Sequence, residues 1–275
     1  MSQPARVLII AGSDSGGGAG IQADIKSVTA LGGFATTAVT ALTAQNTVGV
    51  QGVVPVAPDF IAQQMTSVLD DIGTDCGKTG MLHSRAVIET VADGWRRQGG
   101  VAPLVVDPVM VAQSGDRLLE DDAVGALREH LVPLAHVLTP NRPEAEVLAG
   151  RGLGESEDPA SMAWELLELG CDSVLLKGGH AAGDEVVDVL VRHGRDPLYL
   201  RYPRVVTHND HGTGCTLASA IAAGLAQGRR LDDAVARARA YLQRAIEQAP
   251  GLGRGSGPVH HGHTVTAFEV TGGAS

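Results

Sequence analysis

The sequence predicts a three-layer α/β/α fold with a mainly parallel central sheet and an antiparallel edge, in one domain over residues 1–275. Three observations carry this. Apolar runs rich in Val, Leu and Ile alternate with segments of helical period, the pattern of strands joined by crossover helices. Hydrophobic residues make up 44% of the chain but aromatic residues only 3%, so the core is built from the aliphatic side chains of buried parallel strands. After Gly179 the alternation gives way to apolar runs around a short polar turn, which reads as antiparallel pairing.

Taken in order, strands are expected at RVLIIAG from Arg6, ATTAVTAL from Ala35, LVVDPVM from Leu104, HVLTPN from His136 and SVLLKGG from Ser173, with a further one ending near Met81. Helices are expected at GIQADIKSVTALGG from Gly20, APDFIAQQMTSVLDD from Ala57, SRAVIETVADGWRRQ from Ser84, LEDDAVGALREHL from Leu119 and DPASMAWELLELG from Asp158. Gly32 and Gly170 mark helix ends. The stretch DEVVDVLVRHGRDPLYLRYPRVV from Asp184 reads as an antiparallel pair with HGRD as its turn. Two helices close the chain: TGCTLASAIAAGLAQG from Thr213, and LDDAVARARAYLQRAIEQA, whose Leu231, Val235, Ala238, Leu242 and Ala245 share one face. The tail GLGRGSGPVHHGH reads as loop, and there is no internal repeat.

A formal net charge of -10 argues against a surface for polyanions, and the scarcity of aromatics against base-stacking platforms. The expected partner is a small molecule, with no nucleic acid and no membrane. Cys76, Cys171 and Cys215 are odd in number and lack CxxC spacing, which excludes a disulfide framework or zinc knuckle. The apolar run Val7 to Ala11 is too short for a signal or a span, so a cytoplasmic protein is expected.

Two motifs mislead. Gly18, Gly20 and Ala23 have dinucleotide-fingerprint spacing, but no Asp or Glu occurs between Asp24 and Asp59, where the ribose-binding acid would stand. GTDCGKTGM contains GKT, yet its first glycine is one residue too close and no long helix follows. Lys78 is therefore expected to be a solvated loop lysine.

The chemistry concentrates elsewhere. In HGTGCT the glycines allow backbone N–H groups to converge, and the helix that follows adds its positive end, so Gly212, Thr213, Gly214 and Cys215 can form an anion hole. The bland alternative is a turn before a core helix with an inert cysteine. Other polar groups stand where parallel strands end, the edge at which open α/β sheets bind ligands. VVDP leaves Asp107 there, LTPNRPE leaves Asn141 with Glu144 one helical turn on, and VLLKGG leaves Lys177. A lysine, two carboxylates and an anion hole on one edge suggest a phosphoryl group with a divalent metal. Each also has a structural alternative: a surface pair for Glu144, a turn before Pro108 for Asp107. Gln45 ends an apolar strand with one acceptor and two donors, which suits a nitrogen heterocycle walled by Met81 and Val109, or else a structural cap.

Together the segments AGSDSGGGAGIQAD, TALTAQNTVGVQ, GMLHS, DPVMVAQSGDRLL, LTPNRPEAE, LLKGGH, HGTGCTLASAIAA and GPVHH resemble, in order and nearly end to end, the hydroxymethylpyrimidine kinase/phosphomethylpyrimidine kinase family of the ribokinase-like superfamily. The resemblance implies a ribokinase-like domain, ATP with Mg2+, and two successive phosphorylations of 4-amino-5-hydroxymethyl-2-methylpyrimidine in thiamine biosynthesis. It implies that Gln45 recognises the pyrimidine, with Gly12, Asp24, Met81 and Val109 lining its pocket. Lys177 would contact ATP phosphates, Asn141 and Glu144 with Asp107 would serve the magnesium directly or through water, and Gly212 to Cys215 would form the anion hole. It also implies a homodimer.

Most ribokinase-like kinases carry an Asp base where this chain has Cys215. A thiol at a helix N-terminus has a lowered pKa, so Cys215 is expected as a partial thiolate that helps deprotonate the hydroxymethyl group in the first step. The segment VMVAQSGDRLLEDD is expected to be a flap over the phosphates, excluding water. The competing readings are a pyridoxal or pyridoxine kinase of vitamin B6 salvage, since an amide at Gln45 also suits a pyridine, and a catalytically silent pyrimidine-binding protein. The histidines of HHGH, His260, His261 and His263, are too few for a tetrahedral metal site, and GPVHH is expected near the nucleotide.

Overall fold

The computed structural model describes residues 3–97, 102–111, 115, 118–120, 122–152, 158–179 and 183–269. Among these, nine strands form one sheet in the order β3-β2-β1-β4-β5-β6-β7-β8-β9. They are β1 (Arg6–Asp14), β2 (Phe34–Asn46), β3 (Gly49–Pro55), β4 (Cys76–Thr79), β5 (Leu104–Val106), β6 (Val137–Leu138), β7 (Ser173–Leu176), β8 (Glu185–Arg192) and β9 (Leu198–Pro203). Neighbours from β2 to β7 run parallel, whereas β3 against β2, and β8 and β9 beyond β7, are antiparallel. The mainly parallel sheet with an antiparallel edge is thus present, and both edges are antiparallel.

Helices cover both faces: α1 (Gly20–Ala30), α2 (Pro58–Asp71), α3 (Arg85–Arg97), α4 (Ala123–Ala126), α5 (Arg142–Ala149), α6 (Pro159–Leu167), α7 (Thr213–Ala226) and α8 (Leu231–Glu247). Strand alternation decides which residue meets which layer. Leu8 and Ile10 of β1 join Ile61, Met65, Ile88 and Leu166 in one core, while Val7, Ile9 and Ala11 join Leu217, Ile221, Val235 and Leu242 in the other. Helix α7 is buried around most of its circumference, which its run of Ala, Ser and Gly permits. A Cβ on Gly224 would lie 2.9 Å from the Ala234 Cβ, so small residues let α7 and α8 approach closely.

Three elements depart from expectation. The strand expected from Ala35 continues beyond Leu42 to Asn46 and turns back as β3, an arm with no strand expected in its second half. Asn46 makes the turn, its side chain accepting from the Val48 N–H at 2.9 Å. The helix expected from Leu119 is a short α4, a π-helical turn at Leu127–Leu131 and a 3-10 turn at Val132–Leu134, because Pro133 removes one N–H and crowds the preceding turn. Lys78, expected in a solvated loop, lies within β4 and is fully buried.

Strand order reverses between β1 and β4, with β2 on one side and β5 on the other. That switch point opens a crevice beyond the carboxyl ends of the strands.

Candidate functional site

The switch-point crevice receives the end of β1, the N-termini of α1 and α7, and the residues that follow β4 to β7. Asp14 closes β1 and accepts the N–H groups of Gly16, Gly18 and Ala19 at 2.8, 3.0 and 2.8 Å. One carboxylate thereby shapes the glycine loop that leads into α1. Its oxygen also accepts from His211 Nε2 at 2.8 Å. Burial pushes the Asp14 carboxyl up, but the His211 hydrogen bond and the loop amides outweigh it and hold the group below its ordinary value. The same contact ties this loop to the start of α7, where a Cβ on Gly212 would overlap the Gly18 carbonyl. Gly212 itself has a φ of 83°, which glycine adopts without strain. Asp14 and His211 were not singled out as functional from the sequence. The available signal was an Asp two residues before a glycine run, the spacing at which an Asx side chain reaches the backbone N–H two residues on.

At the other end, Lys177 follows β7 and pairs backbone to backbone with Asn141. Its ammonium donates to Asp107 Oδ1 at 2.9 Å and lies 3.7 Å from Glu144 Oε2. Asn141 caps α5: its side chain accepts from the Glu144 N–H at 2.9 Å while Glu144 accepts from the Asn141 N–H at 2.8 Å. Asn141 therefore orients Glu144 and has one lone pair of its amide oxygen committed. Burial, opposed by Lys177 and aided by Asp107, pushes the Glu144 carboxyl up to about 7. The cluster meets α7 at Gly214, where a Cβ would lie 3.3 Å from Lys177 Nζ and 3.5 Å from Asp107 Oδ2. That is a tight contact, so a side chain at Gly214 would press on the lysine and the carboxylate. The backbone after Lys177 is held from below: Gly178 N–H donates to Asp188 at 2.7 Å, and Arg239 pairs with Asp188 at 3.0 Å.

Cys215 is half-buried at the first turn of α7. Burial pushes its thiol up to about 12, with Asp24 and Asp107 adding to the rise, against the pull of Lys78 and the Gly20 N–H. Against the expected thiolate, burial is the largest influence on the thiol, and it acts to raise it. Asp24 is also corrected as a pocket-lining group. It has no exposed surface, and its oxygens face Lys78 and Ser219.

On the remaining side, Gln45 sits at a bulge of β2. Its backbone exchanges hydrogen bonds of 2.8 Å with the Ser15 hydroxyl, and its side-chain oxygen accepts from Thr43 at 3.1 Å. Gly12 lies against Met81, whose sulfur would stand 3.0 Å from an added Cβ. Val109 is half-buried just after Asp107. The structure thus sets Gln45 beside the Ser15–Gly16 loop, and Gly12 beside Met81. The tail joins this assembly too: His211 pairs with Pro258, His260 N–H donates to Ala245, and the Tyr241 hydroxyl donates to the His261 carbonyl. Among the described residues no three His, Cys, Asp or Glu side chains gather as a metal site. Of the expected flap, Ala112, Gln113, Ser114, Asp116, Arg117 and Asp121 lie outside the described residues.

A model of the phosphomethylpyrimidine kinase family matches residues 14–260. A hydroxymethylpyrimidine/phosphomethylpyrimidine kinase of Rhizobium meliloti is 51% identical over 259 residues, covering 93% of this chain and 96% of that one. Among solved structures, a pyridoxal kinase of Bacillus subtilis in an ADP complex superposes with a TM-score of 0.87 at 35% identity, covering 94% of this chain and 98% of that one. A phosphomethylpyrimidine kinase of Clostridium difficile superposes with a TM-score of 0.76 at 40% identity, over 88% and 99%.

Proposed function

The chain belongs to the phosphomethylpyrimidine kinase family, and from that premise we propose that it phosphorylates 4-amino-5-hydroxymethyl-2-methylpyrimidine with ATP, first to the monophosphate and then to the diphosphate, in thiamine biosynthesis. The observation that carries the reading is the close meeting of Gly214 with Lys177 and Asp107 at the mouth of α7, where a transferring phosphoryl group has a cation and a helix terminus side by side.

Transfer of this kind asks mainly for positioning and charge neutralisation. Lys177 would hold ATP phosphate oxygens: burial works against its charge, but Asp107 and Glu144 keep it protonated. The first N–H groups of a helix lack intrahelical acceptors, so those of Gly214 and Cys215 would serve as the anion hole, with Gly212 and Thr213 fixing the turn before them. With its thiol neutral, Cys215 acts as a member of that hole and as apolar wall. Gln45, Gly12, Met81 and Val109 would bound the pyrimidine, the Gln45 amide reading its nitrogen edge. The donor set fits Mg2+, a hard cation that takes one or two carboxylates and completes its sphere with phosphates and water. Asp107 and Glu144 would hold it directly or through water, with Asn141 fixing Glu144, and the ion would neutralise charge on the ATP phosphates.

The continuous sheet supports one ribokinase-like domain over residues 1–275. Among the described residues no helix is long and apolar enough to cross a membrane. Use of ATP supports a cytoplasmic location. A homodimer is supported by the β2–β3 arm, an edge with Leu42, Val48 and Val54 exposed.

Mass spectrometry tests the reading directly. Incubated with ATP, magnesium and hydroxymethylpyrimidine, the protein should add one phosphoryl group and then a second. Pyrimidine binding without ATP-dependent product would favour the silent binding protein instead. Phosphorylation of pyridoxal is the second reading, favoured by the closer superposition on the B. subtilis pyridoxal kinase than on the C. difficile enzyme.

A further inference from the structure

Beneath the mouth of α7 lies a charged group that the reaction described above does not use. Lys78 is fully buried in β4, flanked in register by Ile9 of β1 and Val105 of β5. Both neighbours face the layer of α1, α7 and α8, so the Lys78 side chain enters that layer too. Its direction along the strand is fixed by Gly80, two residues on and on the same face. A Cβ there would lie 3.0 Å from Lys78 Nζ, so the ammonium reaches toward the carboxyl end of the sheet. It ends at Asp24 of α1, 2.8 Å from each carboxylate oxygen, and Ser219 of α7 donates to the same carboxylate at 2.7 Å. Ser219 stands four residues after Cys215, one turn deeper on the same side of α7.

Stability gives no reason for such a group. A buried ion pair costs desolvation, and replacing both partners with apolar residues is often neutral or stabilising. An ammonium held with its carboxylate partner at a set depth under an anion site does have a use, because the pair acts as a dipole whose field low dielectric carries through the protein. Burial opposes the Lys78 charge, but Asp24, with Cys215 and Asp107 contributing less, holds the ammonium above its ordinary range.

We propose that Lys78 is a positioning residue for phosphoryl transfer: held by Asp24 and Ser219, its ammonium keeps the potential at the start of α7 positive, so that anionic oxygen settles against the Gly214 and Cys215 N–H groups. This rests on the kinase reading of the site. Cys215 is a built-in reporter of that potential, since it stands one turn above Ser219 on the same side of α7.

The test compares the wild type with Lys78→Met, with Lys78→Met/Asp24→Leu, which removes the whole pair, and with Ser219→Ala. Three readouts are taken: melting temperature, kcat and KM for both substrates, and the pH profile of Cys215 alkylation by iodoacetamide, located by peptide mass spectrometry. The double variant should melt near the wild type. Its kcat should fall about tenfold or more, a loss smaller than that for removing an anion-hole donor itself. KM for the pyrimidine should stay within about twofold, and the alkylation profile should move to higher pH. Ser219→Ala should move it the same way but less. A double variant with wild-type kcat and an unmoved profile overturns the proposal. Should Lys78→Met alone fail to fold, the double variant decides. Should the wild type prove inactive on the pyrimidine, the kinase reading fails, while the alkylation profile still tests the charge beneath α7.

Discussion

Gly214 and Cys215 show how much of the site depends on single atoms. A methyl group on Gly214 would enter the space beside Lys177 and Asp107. Gly214→Ala should therefore reduce kcat/KM about 100-fold with little change in melting temperature, since the added atom presses on Lys177 and Asp107 and not on the apolar core. Cys215→Ala keeps the backbone N–H and removes a neutral thiol. Both phosphorylation steps should fall by similar factors, measured separately at saturating ATP; a loss confined to the first step would restore the thiol as a base. The sequence made Lys177, Asp107, Asn141 and Glu144 legible because each follows a recognisable strand, and the end of a parallel strand is where ligands bind. It did not reveal Lys78, Asp14 or His211. Their partners lie 54 residues away for Lys78–Asp24 and 197 for His211–Asp14, and no local pattern encodes such pairings. The raised thiol of Cys215 was equally hidden, because desolvation depends on what packs around a residue.

Among the elements, α5 separates structure from chemistry most cleanly. Glu144 both completes the capping box and faces Lys177. Glu144→Gln preserves an acceptor for the Asn141 N–H, so stability should change by less than about 1 kcal/mol while activity falls by at least tenfold. Asn141→Ala should cost about 1 kcal/mol of stability as well. The tail carries a pH dependence. Burial, with Lys26 and the other histidines adding, depresses His261 from 6.5 to about 4, so the folded chain prefers it neutral. A depressed folded pKa contributes stability present above the unfolded value and lost as pH falls, here between pH 6.5 and 4. Urea unfolding should show that loss, on the order of 3 kcal/mol from this group, and His261→Asn should flatten it. Helices with clear caps and strands with plain alternation were legible at this scale. The β3 arm was not, since Gly49, Gly52 and Gln51 dilute its pattern, and Pro133 broke a helix whose apolar spacing looked continuous.

For the whole molecule, the reversal of strand order between β1 and β4 explains why residues from five strand ends and three helix starts share one crevice. The β2–β3 arm stands apart from that crevice's floor as an exposed apolar edge. If the arm joins two copies as proposed, the wild type should sediment as a dimer and Val54→Glu as a monomer with its melting transition largely retained; a monomeric wild type, or a variant that sediments as the wild type does, would contradict that role for the arm. Fold class and reaction class were legible because many short motifs occur in one order over nearly the whole chain. Substrate preference was less so, for an amide at Gln45 serves more than one heterocycle. The most direct test is a side-by-side measurement of kcat/KM for hydroxymethylpyrimidine, its monophosphate and pyridoxal, with ATP and magnesium and products identified by mass. Conversion of the first two to the pyrimidine diphosphate, with pyridoxal slower, is the predicted result. Phosphorylation of pyridoxal alone would contradict it and assign the crevice to a pyridine alcohol.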